Sequence, residues 1–343
     1  MPKESLGRIP TLDGLRAISI VLVLCAHIPG TGFIPVIPQL QWLGEAGVRT
    51  FFVISGFLIT TLLLRERAKN GRISLKDFYV RRIFRIFPAF YTYIAVFALL
   101  SVAGLVVIPR VDFAYAVAYG MNFHEQRAWY LGHMWSLAVE EQFYILWPIV
   151  FVLLGTRRAL WFALGAVIAA PILRVATLRL YPEYAGLLDQ AFPFVFDSIA
   201  IGCALAIMRP ALEASPRYRK LLAAPWFWIV PLGLVGTLAI TKPVIEMGIT
   251  TSLGNLGIAL AIHRCVLTPE GAVGRILERP GFIWIGTLSY SLYLWQQPFL
   301  NRHDNGWWAM LPINLVLAFA MAMVSYYGIE KPWLRLGRRF RKA

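Results

Sequence analysis

Residues 44–64 read GEAGVRTFFVISGFLITTLLL, with charge confined to Glu45 and Arg49 and no charged residue from Thr50 to Leu64. A stretch of this length and character is what a helix needs to cross a bilayer, about 20 mostly apolar residues. Comparable runs fall at about 15–32, 86–108, 133–154, 159–173, 191–208, 226–240, 249–267, 282–300 and 308–328, which predicts ten spans. The segment 111–123 is apolar but too short, and is expected to lie in the interface or to enter and leave from one side. The 343 residues are 58% apolar, a composition that excludes a water-soluble globule, a disordered chain and a collagen-like fibre.

The formal net charge of +15 would suit a nucleic-acid binder, but such a domain does not carry long uncharged apolar runs between its basic clusters. Orientation explains the excess better. When Lys and Arg are assigned to alternate sides of ten spans, 26 of the 33 fall on one side and 6 on the other, with Arg49 at the edge of the second span. Short cytoplasmic loops carry such an excess, so both termini are expected in the cytoplasm. The expected fold is therefore an all-α, polytopic integral membrane protein. Residues 1–343 are expected to form a single transmembrane domain with no appended soluble domain and a first span that is retained rather than cleaved. Cys25, Cys203 and Cys265 all lie in apolar stretches and read as small hydrophobes without a disulfide framework. No Walker motif, dinucleotide fingerprint or zinc-type spacing is present, so no metal is expected.

Ionisable groups at membrane depth are costly unless paired or facing a cavity, which makes each a functional candidate. In residues 12–27, LDGLRAISIVLVLCAH, Arg16 and His27 are eleven apart. Eleven helical steps bring them to one face about 16.5 Å apart along the axis. Arg16 either snorkels or binds an anion near the cytoplasmic surface, with Asp13 beside it, and His27 is either a satisfied core histidine or a reactive group in the outer half. Residues 133–148, HMWSLAVEEQFYILWP, align His133, Ser136 and Glu140 on one helix face and turn Glu141 about 100° away. Two adjacent carboxylates in an apolar helix do not read as solvated surface. Asp197, in FPFVFDSIAIG, is either a third buried acid or a helix cap. Arg82 and Arg85, in FYVRRIFRIFP, face one way; they either grip a phosphorylated ligand in two-pronged fashion or anchor the chain to anionic lipid. The Ser55-Gly56 pair permits close helix approach.

Taken together, LDGLRAIxxxxVxxxH at 12–27, GVxxFFVISGFLI at 47–59, FYxRRxxRIxP at 78–88, WSLAVEEQFYxLWP at 135–148, DSIAIG at 197–202, SYSLYLWQQPF at 289–299 and IEKPW at 329–333 resemble the membrane acyltransferase 3 family, whose members O-acylate polysaccharides, nodulation factors and macrolides. The resemblance implies a membrane O-acyltransferase of the bacterial cytoplasmic membrane. It would move an acyl group, expected to be acetyl, from cytoplasmic acyl-CoA to a hydroxyl of an extracytoplasmic or lipid-linked glycan. Arg16 and His27 match the family's arginine–histidine element, and Arg82 and Arg85 its RxxR element. His27 would then be the general base with Glu140 orienting it, or would carry the acyl group itself. Arg16, Arg82 and Arg85 would hold the CoA phosphates, and Asp13, His133, Ser136, Glu141 and Asp197 would support the site. Three positions depart from the pattern. Arg49 stands where many relatives have Asp, Phe196 where many have Arg, and Gln296 at a position often held by His. The rival reading is a proton-coupled transporter or flippase of a glycan or lipid-linked substrate, with His27, Glu140, Glu141 and Asp197 as its relay.

Overall fold

In a computed structural model that describes residues 9–304 and 306–340, every regular element is helical, and no strand occurs among the described residues. Lys3 and Arg8 of the charge count, and the last residues of the basic tail, lie outside the described residues. In chain order the helices are α1 Pro10–His27, α2 Gln41–Asn70, α3 Leu75–Val102, α4 Arg110–Val117, α5 Trp129–Gly132, α6 Met134–Leu180, α7 Phe192–Ala214, α8 Pro216–Ala223, α9 Ile229–Gly236, α10 Pro243–Ile245, α11 Thr251–Leu267, α12 Ala272–Leu277, α13 Pro280–Phe299, α14 Ile313–Ser325 and α15 Lys331–Phe340. Wide-turn π segments, Glu246–Thr250 and Tyr326–Glu330, precede α11 and α15.

Seven helical stretches of the described residues are long and apolar enough to cross a membrane, or eight if a pair bent by 78°, Pro216–Ala223 with Pro225–Ala239, counts as one. The difference from the ten expected has local causes. α6 takes in both the 133–154 and the 159–173 runs, and its 47 residues would extend about 70 Å at 1.5 Å per residue, more than twice the hydrocarbon thickness. It is broken at Gly155, where φ 69° and ψ 172° leave the helical region. The 226–240 run falls in the bent pair, and α13, interrupted by Ser289, Ser291, Gln296 and Gln297, is not among the seven. Residues 110–123 form α4 and a short turn, Met121–Phe123, neither long enough to cross a bilayer.

The chain forms two compact units. The first takes residues up to Val23, Trp42–Ile73 and Trp147–Thr287; the second takes Leu24–Gln41, Ser74–Leu146 and the residues from Leu288 onward. In the first, Leu12 and Leu15 of α1, Val53, Ile54 and Phe57 of α2, Leu205 of α7 and Ile258 and Ile262 of α11 make one apolar core. α2 and α7 approach through a reciprocal pair of glycines, as the Ser55-Gly56 pair suggested. A Cβ on Gly56 would strike the Ile199 carbonyl and one on Gly202 the Val53 carbonyl, so only hydrogen fits between the two backbones. Large apolar side chains such as Leu153, Ile168, Leu232 and Val316 are exposed, the surface expected of helices bathed in lipid.

In the second unit α3 starts at Ser74, whose hydroxyl accepts from the Asp77 amide at 3.2 Å, satisfying one of the donors every helix start leaves open. α3 then buries Phe90, Tyr93 and Phe97. α14 and α15 are joined by the Tyr326–Glu330 segment, which turns Glu330 inward to accept from Ser291 of α13 at 3.1 Å.

Candidate functional site

His27 is the last residue of α1, so its ring stands at a helix end, where the chain turns away through Ile28 and Pro29. Trp129 meets it edge-on at 6.0 Å between ring centroids, and the Arg302 guanidinium sits 5.2 Å above the same indole. Arg302 is the cation that His27 feels, and the Gln296 side chain lies within hydrogen-bonding reach of the imidazole. Gln296 is positioned by its neighbour: Trp129 Nε1 donates to the Gln297 carbonyl at 2.7 Å, and Gln297 Nε2 returns a bond to the Trp129 carbonyl at 2.9 Å. That reciprocal pair fixes the end of α13 against α5. His133, at the junction of α5 and α6, is near enough to feel the His27 charge, and packs between Tyr93 and Tyr293, each at 5.5 Å.

Below this head a polar column continues through the second unit on three helices. Ser136 of α6 and Tyr293 of α13 share a 2.5 Å hydrogen bond, and the Tyr293 hydroxyl donates to the His133 carbonyl at 3.1 Å. Tyr290, six residues before Gln296, lies in the field of Glu140, Glu141 and Glu330 and donates to the Ile86 carbonyl of α3 at 3.0 Å. At the foot, Arg82 places its guanidinium 4.5 Å over the Tyr144 ring and 5.6 Å from that of Phe78, with Glu141 in electrostatic range. Arg85 faces Glu330. Eleven residues of α6 separate His133 from Tyr144, about 16 Å of rise.

Several polar atoms along this column are buried and make no hydrogen bond with the protein: His27 Nδ1, both ring nitrogens of His133, Gln296 Oε1, Arg302 Nε, Trp295 Nε1, Glu141 Oε2 and the Tyr119 hydroxyl. Each such atom costs about 1–3 kcal/mol relative to one that is bonded. Most of the buried, unbonded polar atoms among the described residues lie in the second unit, which makes it the candidate region for a polar occupant.

The sequence-derived residues thus fall into three places. His27, His133, Ser136, Glu140, Glu141, Arg82 and Arg85 share the column. Glu140 is not among the partners of His27: it is seven residues, about 10 Å of helix rise, below His133 and shares its surroundings with Glu141, Tyr290 and Tyr293. Arg16 and Asp13 pair with each other at 3.2 Å on α1, an unbroken helix that carries Arg16 and His27 at the eleven-residue spacing.

Asp197 belongs to a separate cluster in the first unit. It is not a cap, since α7 starts five residues earlier, but the acid of a buried ion pair with Arg174 at 3.0 Å, supported by Ser252 at 3.2 Å. Arg174 also donates to the carbonyls of Met247 and Phe194. Arg49 completes the cluster, bonded to Glu45 at 2.7 Å and to Ser198 at 2.9 Å. Arg302, Trp129 and Tyr119 join these candidates from the structure, and Gln296, marked in the sequence only as a departure from the family pattern, lies among them. No group of His, Cys, Asp and Glu able to hold a metal occurs among the described residues, and the three cysteines are free thiols.

The chain is 28% identical to the peptidoglycan O-acetyltransferase OatA of Listeria monocytogenes, over 94% of this chain and 55% of that protein. It is 30% identical to the putative peptidoglycan O-acetyltransferase YrhL of Bacillus subtilis, over 94% and 54%, and 29% identical to a putative O-acetyltransferase of Staphylococcus aureus, over 96% and 58%. It therefore spans little more than half the length of these relatives. No solved structure matches it. A family model described as "Acyltransferase domain" matches residues 9–329, and the chain belongs to the acyltransferase 3 family.

Proposed function

We propose that this chain is an O-acetyltransferase of the bacterial cytoplasmic membrane that passes an acetyl group from cytoplasmic acetyl-CoA to a hydroxyl of a cell-surface glycan. The observation that carries the reading is the column of the second unit, with an arginine pair at one end and His27, its Nδ1 unpartnered, at the other. The relatives named for peptidoglycan acetylation favour a glycan acceptor. The run of arginine and lysine from Arg65 to Arg85 favours the cytoplasmic side, the donor's, for Arg82 and Arg85.

In this reading Arg82 and Arg85 bind the CoA phosphates. The roughly 16 Å between the foot and head of the column accommodates an extended pantetheine arm, so the thioester arrives beside His27. The neutral imidazole takes the proton of the acceptor hydroxyl as its oxygen attacks the thioester carbonyl. Arg302 faces the negative charge that develops on the carbonyl oxygen. Gln296 Oε1, unpartnered in the resting site, accepts a hydrogen bond from the imidazolium and takes the orienting role that sequence reasoning gave to Glu140. Collapse breaks the carbon–sulfur bond, and the imidazolium returns its proton to the departing thiolate, so ester and free CoA leave. The apolar walls exclude water that would otherwise hydrolyse the thioester.

Mass spectrometry of surface glycans from cells with and without the gene tests the activity. An acetyl ester removable by mild alkali and lost with the gene is the expected result. Unchanged glycan acetylation, with substrate instead moved across the membrane, would replace the enzyme by a transporter.

A further inference from the structure

Tyr119 has φ 52°, the one positive-φ residue other than glycine among the described residues. It lies where α4 ends: the Gly120 amide reaches back to the Tyr115 carbonyl at 2.8 Å, a helix stop whose left-handed position is usually filled by glycine. A side chain with a Cβ is strained there. Gly120 stands next in sequence, so the glycine is present and the strained position still holds tyrosine.

The side chain kept in that position is buried. Its ring stacks on Phe90 at 4.1 Å with an 11° tilt and lies 5.8 Å from Phe87, both well inside α3. Stacking accounts for the ring, but not for the hydroxyl, which has no hydrogen-bond partner. That hydroxyl is in the field of Glu141, whose Oε2 is likewise buried and unpartnered. Tyr290 lies within range of both. A hydroxyl that can donate and a carboxyl oxygen that can accept are therefore both buried and unbonded in one neighbourhood of the second unit, within electrostatic range of each other and, through Glu141, of Arg82.

We infer that Tyr119 and Glu141 form a subsite for the amide-bearing pantetheine arm of the donor, with the Tyr119 hydroxyl donating to an amide carbonyl and Glu141 Oε2 accepting from an amide N–H. The inference rests on the donor reading above and adds to it. A secondary amide presents one donor and one acceptor, the complement of this pair. The segment that follows α4 thus supplies one side of the donor's path.

Binding to purified protein separates the two claims. The probes are CoA and adenosine 3′,5′-bisphosphate, which keeps the phosphates but lacks the amides. Wild-type protein binds both. Tyr119→Phe keeps the stacking ring and the backbone, and should weaken CoA by about fivefold, as the loss of one hydrogen bond implies, while leaving the bisphosphate unchanged. Arg82→Ala should weaken both probes. Equal CoA affinity in wild type and Tyr119→Phe would overturn the subsite and leave the donor reading intact, and an equal loss for both probes would reduce Tyr119 to a packing residue. Failure of wild-type protein to bind either probe would overturn the donor reading itself.

Discussion

In the first unit the Arg174 guanidinium directs its hydrogens to two backbone carbonyls, Ser252 and Asp197, and Arg49 reaches Glu45 and Ser198. In the second unit His133, as deeply buried, bonds through neither ring nitrogen, and His27, Gln296, Arg302, Glu141 and Tyr119 each keep an atom unpartnered. Both regions place costly groups inside apolar helices, so polarity at membrane depth does not by itself identify a site. Satisfaction distinguishes them. A closed network ties helices together, whereas polar atoms left open along a path are available to a substrate. In the first unit Thr11, Thr250 and Asn255 also keep buried atoms unpartnered, but none of them is an ionisable group.

Substitutions that act differently on the two regions test this contrast. The largest effect is expected at the head of the column: His27→Ala should lower acetyl transfer by about a thousandfold or more, the scale of a lost general base, with the melting temperature in detergent near that of wild type. An equal loss of stability would make His27 a packing residue. The converse is expected in the closed network. Arg174→Met leaves Asp197 buried without its partner and should cost about 3–5 kcal/mol of stability, read as a lower melting temperature and reduced yield. The fraction that folds should keep the wild-type KM for acetyl-CoA, and a raised KM would move that cluster into the substrate path.

Gln296→Leu should lower kcat by about a hundredfold through loss of ring orientation, and Gln296→Glu, which keeps an acceptor beside the ring, should recover much of it. If the leucine variant turns over normally, Gln296 does not hold His27. The smallest effect is expected at the foot. Arg82→Ala should raise the KM for acetyl-CoA by about tenfold with kcat little changed, the signature of lost donor binding. An unchanged KM would return Arg82 to lipid anchoring.

Much of the fold was legible because apolar runs and the punctuation between them are local properties. The count of spans was less so: the break of α6 at Gly155 falls in the gap between the 133–154 and 159–173 runs, but the bend after α8 depends on how short helices pack. Within the site, His27, His133, Arg82 and Arg85 stood out because ionisable side chains are rare in apolar helices. Trp129 and Tyr119 did not, since aromatic rings look the same whether they pack or bind, and Gln296 stood out only as a departure from the family pattern. The orienting role went to Glu140 on chemical type alone, and only the structure shows that the end of α13, locked to α5 through Trp129 and Gln297, places an amide beside the imidazole. Asp197 was visible as a candidate, but its partner Arg174 lies on another helix, and pairing across helices is not encoded in spacing.

The central claim, that the donor occupies the column of the second unit, is tested most directly by protection from alkylation. Ser136→Cys, near the head of the column, and Ser252→Cys, in the closed network, would each be made in protein whose Cys25, Cys203 and Cys265 are replaced by alanine, then exposed to a small methanethiosulfonate with and without acetyl-CoA. Acetyl-CoA should slow modification of the cysteine at 136 and leave the one at 252 unaffected. Equal rates at 136 with and without the donor, or protection at 252 instead, would contradict the account.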